Sequence, residues 1–134
     1  MAEEIVVKEP LWPEMVDAGK KLTQQLDADG FDVRASLWFY FVDGSQWRLL
    51  IASPLVDEKG PKETYERIRA SLGKDTEGLA GLSLQNISVV SPSDPAIRVL
   101  GKMFHLPGFS SVRMSRSRLN NLYVEDVYIY RMNV

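Results

Sequence analysis

The stretch Phe31-Asp32-Val33-Arg34-Ala35-Ser36-Leu37-Trp38-Phe39-Tyr40-Phe41-Val42, followed by Asp43-Gly44-Ser45 and then Gln46-Trp47-Arg48-Leu49-Leu50-Ile51-Ala52-Ser53, decides the fold. Phe31, Val33, Ala35, Leu37, Phe39 and Phe41 recur at every second position, the period of a strand with one face on a core. The alternate set, Asp32, Arg34, Ser36, Trp38, Tyr40 and Val42, starts polar and becomes aromatic, so its far end is also a candidate for cover. Asp43-Gly44-Ser45 is a tight-turn signature, because Gly accepts the positive φ of such turns. Residues 46–53 return as the partner strand with Trp47, Leu49 and Ile51 on one face, and Pro54 ends it. A β-hairpin follows.

Outward from this hairpin the chain punctuates itself. Upstream, residues 5–8 read as a short edge strand. Pro13 suits the first turn of a helix, where its missing N–H costs nothing. Met15, Gly19, Leu22 and Leu26 give that helix one apolar stripe, and Asp29-Gly30 ends it. Downstream, Asp57-Glu58-Lys59 reads as a solvated loop. Gly60-Pro61 opens a second helix to Leu72, with Tyr65, Ile68 and Leu72 as its inner stripe and Glu63/Arg67 as an outer i,i+4 pair. Residues 73–81 form a glycine-bearing connection, and residues 82–90 read as a third main strand. Ser93-Asp94-Pro95 starts a third helix carrying Ile97, Leu100 and Phe104, stopped by Pro107-Gly108. Residues 110–118 and 122–132 make a last hairpin about Asn120-Asn121, with a bulge at Glu125-Asp126 bringing Tyr123, Tyr128 and Tyr130 to one side.

Two hairpins exclude an all-parallel sheet. The expected fold is a single α+β domain over residues 1–134: an antiparallel or mixed sheet of about five strands, in the order (β)αββαβαββ, with about three helices packed on one face. The 134 residues are 45% hydrophobic, 25% charged and 10% aromatic, which excludes disorder and collagen-like repetition. Zero cysteines exclude a disulfide scaffold, a catalytic thiol and a thiolate zinc site. The N-terminal residues are acidic where a secretory signal is basic, and the longest apolar run, residues 37–42, is far short of the ~20 needed to cross a bilayer. A cytoplasmic location without membrane contact is expected.

The formal charge of −2 argues against a dedicated nucleic-acid coat. The charge is unevenly placed, however. Residues 1–95 carry 10 Lys or Arg against 16 Asp or Glu, and residues 96–134 carry six against two. Arg113, Arg116 and Arg118 concentrate the basic excess on the last hairpin, where guanidinium forks suit phosphate or carboxylate oxygens and neighbouring tyrosines suit base stacking. The plainer reading is a hydrated hairpin whose arginines pair with Glu125 and Asp126.

Catalytic constellations are thin. Residues 78–81 lack the spacing of a phosphate-binding glycine loop. His105 is the one histidine, in an apolar setting at a helix end, where its charge suits the helix dipole without any chemistry. Asp57-Glu58-Lys59 has the Asp/Glu-x-Lys form of metal-dependent nucleases, but the nearest second acid, Asp43, lies roughly 30 Å away at the other end of a ten-residue strand. No metal or cofactor is expected.

The leading expectation is therefore a small non-enzymatic interaction domain, binding a protein partner or a second copy through an aromatic sheet face or an edge. Trp38, Tyr40 and Trp47 are its candidate anchors. Nucleic-acid or other anion binding through Arg113, Arg116 and Arg118 is the alternative, and a divergent metal-dependent hydrolase the third.

Overall fold

Residues 8–79 and 82–134 are described by the computed structural model. Helix α1 (Pro13–Ala28) begins at the anticipated proline and turns its Leu22, Leu26, Ala18 and Gly19 side inward. The first hairpin is β1 (Ala35–Phe41) and β2 (Gln46–Ala52). A short helix α2 (Leu55–Lys59) and the longer α3 (Pro61–Leu72) follow. A 3-10 turn (Leu84–Asn86) leads into β3 (Ile87–Val90), and then come α4 (Pro95–Met103), β4 (Val112–Leu119) and β5 (Leu122–Met132). The class is α+β, with one five-stranded mixed sheet in the order β3-β2-β1-β5-β4. Among the described residues only the β2–β3 pairing is parallel.

Several expectations change. The strand begins at Ala35 instead of Phe31, because Asp32 adopts a left-handed conformation (φ +59°) and the chain bends again at Arg34. Phe31 and Val33 therefore pack with Trp38 and Tyr40, on the side opposite Leu37 and Phe39. Residues 57–59 lie in α2 instead of a loop, and the strand expected at 82–90 is only its last four residues. Of the edge strand expected at 5–8, residues 5–7 lie outside the described residues and Lys8 belongs to no strand.

The helices also divide between the faces. Leu22 and Leu26 of α1 and Ile68 of α3 cover Trp38, Tyr40, Leu49, Ile51 and Tyr130. Ile97 and Leu100 of α4 cover the other face, against Leu37, Leu50, Val127 and Ile129. The one-face arrangement fails because both parities of β1 and β5 are apolar, so each side of the sheet demands burial.

Two local devices hold these layers. Asp94 caps α4, its carboxylate accepting from the backbone N–H groups of Ala96 (3.0 Å) and Ile97 (3.4 Å). Asp94→Ala should cost about 1 kcal/mol, read as a lowered urea midpoint at unchanged slope. Beneath α1, the Trp38 indole N–H donates to the Tyr130 hydroxyl (2.9 Å), which donates in turn to the Val16 carbonyl (2.5 Å). Burial pushes the Tyr130 phenol well above its ordinary pKa, so it remains a donor. Gly19 makes this contact possible: a Cβ there would stand 2.5 Å from the Tyr130 oxygen and 2.7 Å from Trp38 Nε1.

Candidate binding surface

The three aromatic anchors are not available for a partner. Trp38, Tyr40 and Trp47 are 0%, 4% and 3% exposed. Trp38 is spent on Tyr130, while the Trp47 indole donates to the Glu9 carbonyl (2.7 Å) and meets Tyr40 edge-on at 5.4 Å. The segment around Lys8 and Glu9, with α1 and α3, covers the face that the sequence left open. The expected aromatic interface is thus core, because two amphipathic helices share this side.

The arginine hairpin is also partly committed inward. Asp126, 1% exposed, accepts both prongs of the Arg113 guanidinium (3.0 and 2.8 Å), the Lys8 ammonium (2.8 Å) and the Ser115 hydroxyl (3.2 Å). Burial pushes its carboxyl up, but the hydrogen bonds from Arg113 and Lys8 outweigh this and hold it below the usual carboxylate value. Arg113 also lies 5.8 Å over the Trp47 ring. It is a structural cation. Arg116 and Arg118 stay exposed, the former 3.9 Å from Glu125, whose other oxygen accepts from the Tyr123 hydroxyl (2.5 Å). Tyr130 is buried and Tyr128 half-buried, leaving only Tyr123 open for stacking.

Both sheet edges are guarded. At β3 the Val89 N–H, which would be open on an edge, donates to the Tyr65 hydroxyl of α3 (3.0 Å). At β4 the left-handed Arg116 (φ +48°) breaks the alternation of the strand, and cations flank it. Across from it Glu125 and Asp126 keep one continuous register with β4, so the bulge expected there does not form; β5 slips instead against β1, where Ser36 pairs with Arg131 and Leu37 with Ile129, leaving Tyr130 as the extra residue.

A larger opening lies on the α4 side. A five-stranded sheet is roughly 20–24 Å wide at ~4.8 Å per strand, whereas one helix spans about 10 Å. The nine-residue α4 leaves the hairpin end of that face bare. There β1 and β5 also part: their pairing ends at Phe39 and Val127, so Tyr40 and Phe41 face no partner in β5. The result is a groove of about 760 Å³ floored by Phe39, Phe41, Leu50, Val90 and Leu122, with Val42 at its lip. Arg48, on its wall, is held by the Ser88 hydroxyl (2.7 Å) and the Ile87 carbonyl (3.2 Å), and Asp43 and Asp94 stand at the rim. On the other face the same parting leaves a hollow of about 410 Å³ between Lys8, Tyr40, Val42 and Tyr123.

Of these floor residues the alternation places Phe39 and Phe41 on a core-facing side and gives Leu50, Val90 and Leu122 no role. The signal that could have found the groove is length: residues 95–103 are too few to roof the strands read on either side.

The remaining candidates do not converge. His105 is exposed beside Leu106, whose backbone bridges Met132. Asp57 accepts from the Ser91 hydroxyl (2.7 Å), and no group of three or more His, Asp or Glu positioned to hold a metal occurs among the described residues. No helix among them is long and apolar enough to cross a membrane. Compared with models of protein families, curated proteins and solved structures, the chain finds no match.

Proposed function

We propose that this chain is a non-enzymatic interaction domain that takes an extended apolar segment of a partner protein into the groove beside α4. The observation that carries this reading is the parting of β1 and β5 over an apolar floor. Backbone groups of Phe41 on the β5 side, and of Leu122, Tyr123 and Glu125 on the β1 side, lack a strand partner there and are not fully covered, whereas Tyr40, Val124 and Asp126 are buried. Such groups favour a guest that brings its own main-chain donors and acceptors, and the floor supplies pockets for alternate side chains. The guarded outer edges and the covered aromatic face leave this inner edge as the best remaining place for strand addition.

Panning a random dodecamer library against the protein tests it. Enriched peptides should carry apolar residues at alternate positions. Their affinity should fall at least tenfold on N-methylation of alternate backbone amides, and equally with Phe41→Asp, a half-buried position whose variant can be checked for folding by circular dichroism. Enriched peptides that bind Phe41→Asp undiminished, or no enrichment, would overturn the reading.

A further inference from the structure

The parting of β1 and β5 opens on both faces of the sheet, and the two openings adjoin. The α4 groove and the hollow of about 410 Å³ on the other face share Tyr40, Val42 and Tyr123 as walls. Val42, just beyond β1, is 57% exposed and Tyr123, in β5, is 45% exposed, so large apolar side chains stand uncovered on either side of the gap. Tyr40 is buried, yet its hydroxyl bonds to no group among the described residues. A buried tyrosine whose hydroxyl lacks a partner is uncommon, and this one walls both openings.

The two mouths differ in charge. On the α4 side the floor is apolar, Asp43 and Asp94 stand at the rim, and Arg48 is already held by Ser88 and Ile87. On the other side Lys8 and Arg116 line the hollow, with Glu125 its one acid. Glu125 accepts from the Tyr123 hydroxyl and stands 3.9 Å from Arg116, too far for a hydrogen bond. Lys8 gives one bond to Asp126, which Arg113 grips with both prongs. Arg118, opposite Tyr123 in the last hairpin, adds a further cation. Lys8, Arg113, Arg116 and Arg118 thus outnumber Glu125 and Asp126 by four to two.

We infer that the partner segment taken up here alternates apolar with acidic residues, its apolar set entering the α4 groove and its carboxylates the hollow between Lys8 and Arg116. This composition rests on the strand-addition reading above. Successive side chains of a strand point to opposite faces, so a guest lying in the plane of the sheet serves both hollows at once. A slip of one residue would set carboxylates on the floor of Phe39, Phe41 and Leu50, beside Asp43 and Asp94. Charge therefore fixes the guest's register as well as its composition. Arg116 can fork onto a guest carboxylate, Lys8 has N–H groups to spare, and the Tyr40 hydroxyl is an unspent neutral donor.

Fluorescence anisotropy with three labelled octapeptides, in which valine alternates with glutamate, glutamine or lysine, tests the composition. The glutamate peptide should bind at least tenfold more tightly than the glutamine peptide at about 50 mM salt, with the lysine peptide weakest, and the gap should narrow at about 500 mM. Arg116→Gln, at a side chain 82% exposed, should shrink that gap at least threefold and leave the glutamine peptide unchanged. Phe41→Asp should weaken the glutamate and glutamine peptides alike. Equal affinities for all three peptides, still lowered by Phe41→Asp, would overturn the acidic preference and leave strand addition standing. A glutamate preference untouched by Arg116→Gln would place the carboxylates elsewhere and also overturn it. Absence of binding by all three would overturn both.

Discussion

Gly19→Ala should lower the unfolding free energy by roughly 2–4 kcal/mol, although alanine is the better helix former by about 1 kcal/mol at an exposed position. The reversal follows from geometry. The new methyl would stand 2.5 Å from the Tyr130 oxygen and 2.7 Å from Trp38 Nε1, both fully buried and bonded to each other. Either α1 lifts from the sheet, opening a gap over Trp38, or the Trp38–Tyr130–Val16 hydrogen bonds break. Urea unfolding of a double-mutant cycle with Tyr130→Phe checks the cause. Removing the hydroxyl oxygen takes away the nearest obstacle, so the glycine substitution should cost less in that background. Equal costs in both backgrounds would place the damage elsewhere.

Asp126→Asn should be the other costly change, at about 2–3 kcal/mol. Removing one member of a buried ion pair typically costs 3–5 kcal/mol, and the value here is lower because Arg113 and Lys8 are partly exposed and can rehydrate. The effect carries a pH signature. The folded carboxyl titrates below its ordinary value of 3.8, so the unfolded chain binds the proton more readily. The stabilisation is complete above that ordinary value and is lost as pH falls through the lower folded one. The difference in stability between wild type and Asp126→Asn, measured by denaturant titration from pH 7 to pH 2, should shrink across that acidic window. A difference independent of pH would show that the carboxylate charge contributes nothing. Asp29 and Asp32 are also held low, but both are present in each protein and cancel from the comparison.

The features most legible from residues alone were those set by neighbours in the chain. Asp43-Gly44-Ser45 and Asn120-Asn121 place both hairpins, and Asn120 adopts the positive φ (+53°) expected of such a turn. Pro13 and Asp94-Pro95 place two helix starts. Faces were harder, because burial is decided by elements far away in sequence. Trp38 and Tyr40 look like surplus aromatics until α1 and α3 lie over them, and nothing local announces that two helices choose one side and α4 the other. Arg113 shows a middle case. The register of the last hairpin sets Ser115 opposite Asp126 and Arg113 opposite Tyr128, so the turn alone brings this cation within a residue pair of its acid. What no local pattern reveals is that Lys8 arrives from the other end of the chain to complete the cluster. The groove escaped for the converse reason: its lining is as apolar as a core, and only the shortness of α4 leaves it open.

The position of β5 between β1 and β4 has a consequence for how the chain is made. The strand β5 follows the other four strands in the chain, and it joins β1 across 88 to 97 positions of sequence. Until it arrives, β1 is a bare margin, apolar on both sides, with Trp38 lacking the phenol that its indole needs. Nascent chains at this stage present the sort of sticky rim that chaperones hold. Synthesis itself, more than the finished molecule, is where this fold is most exposed to misassociation.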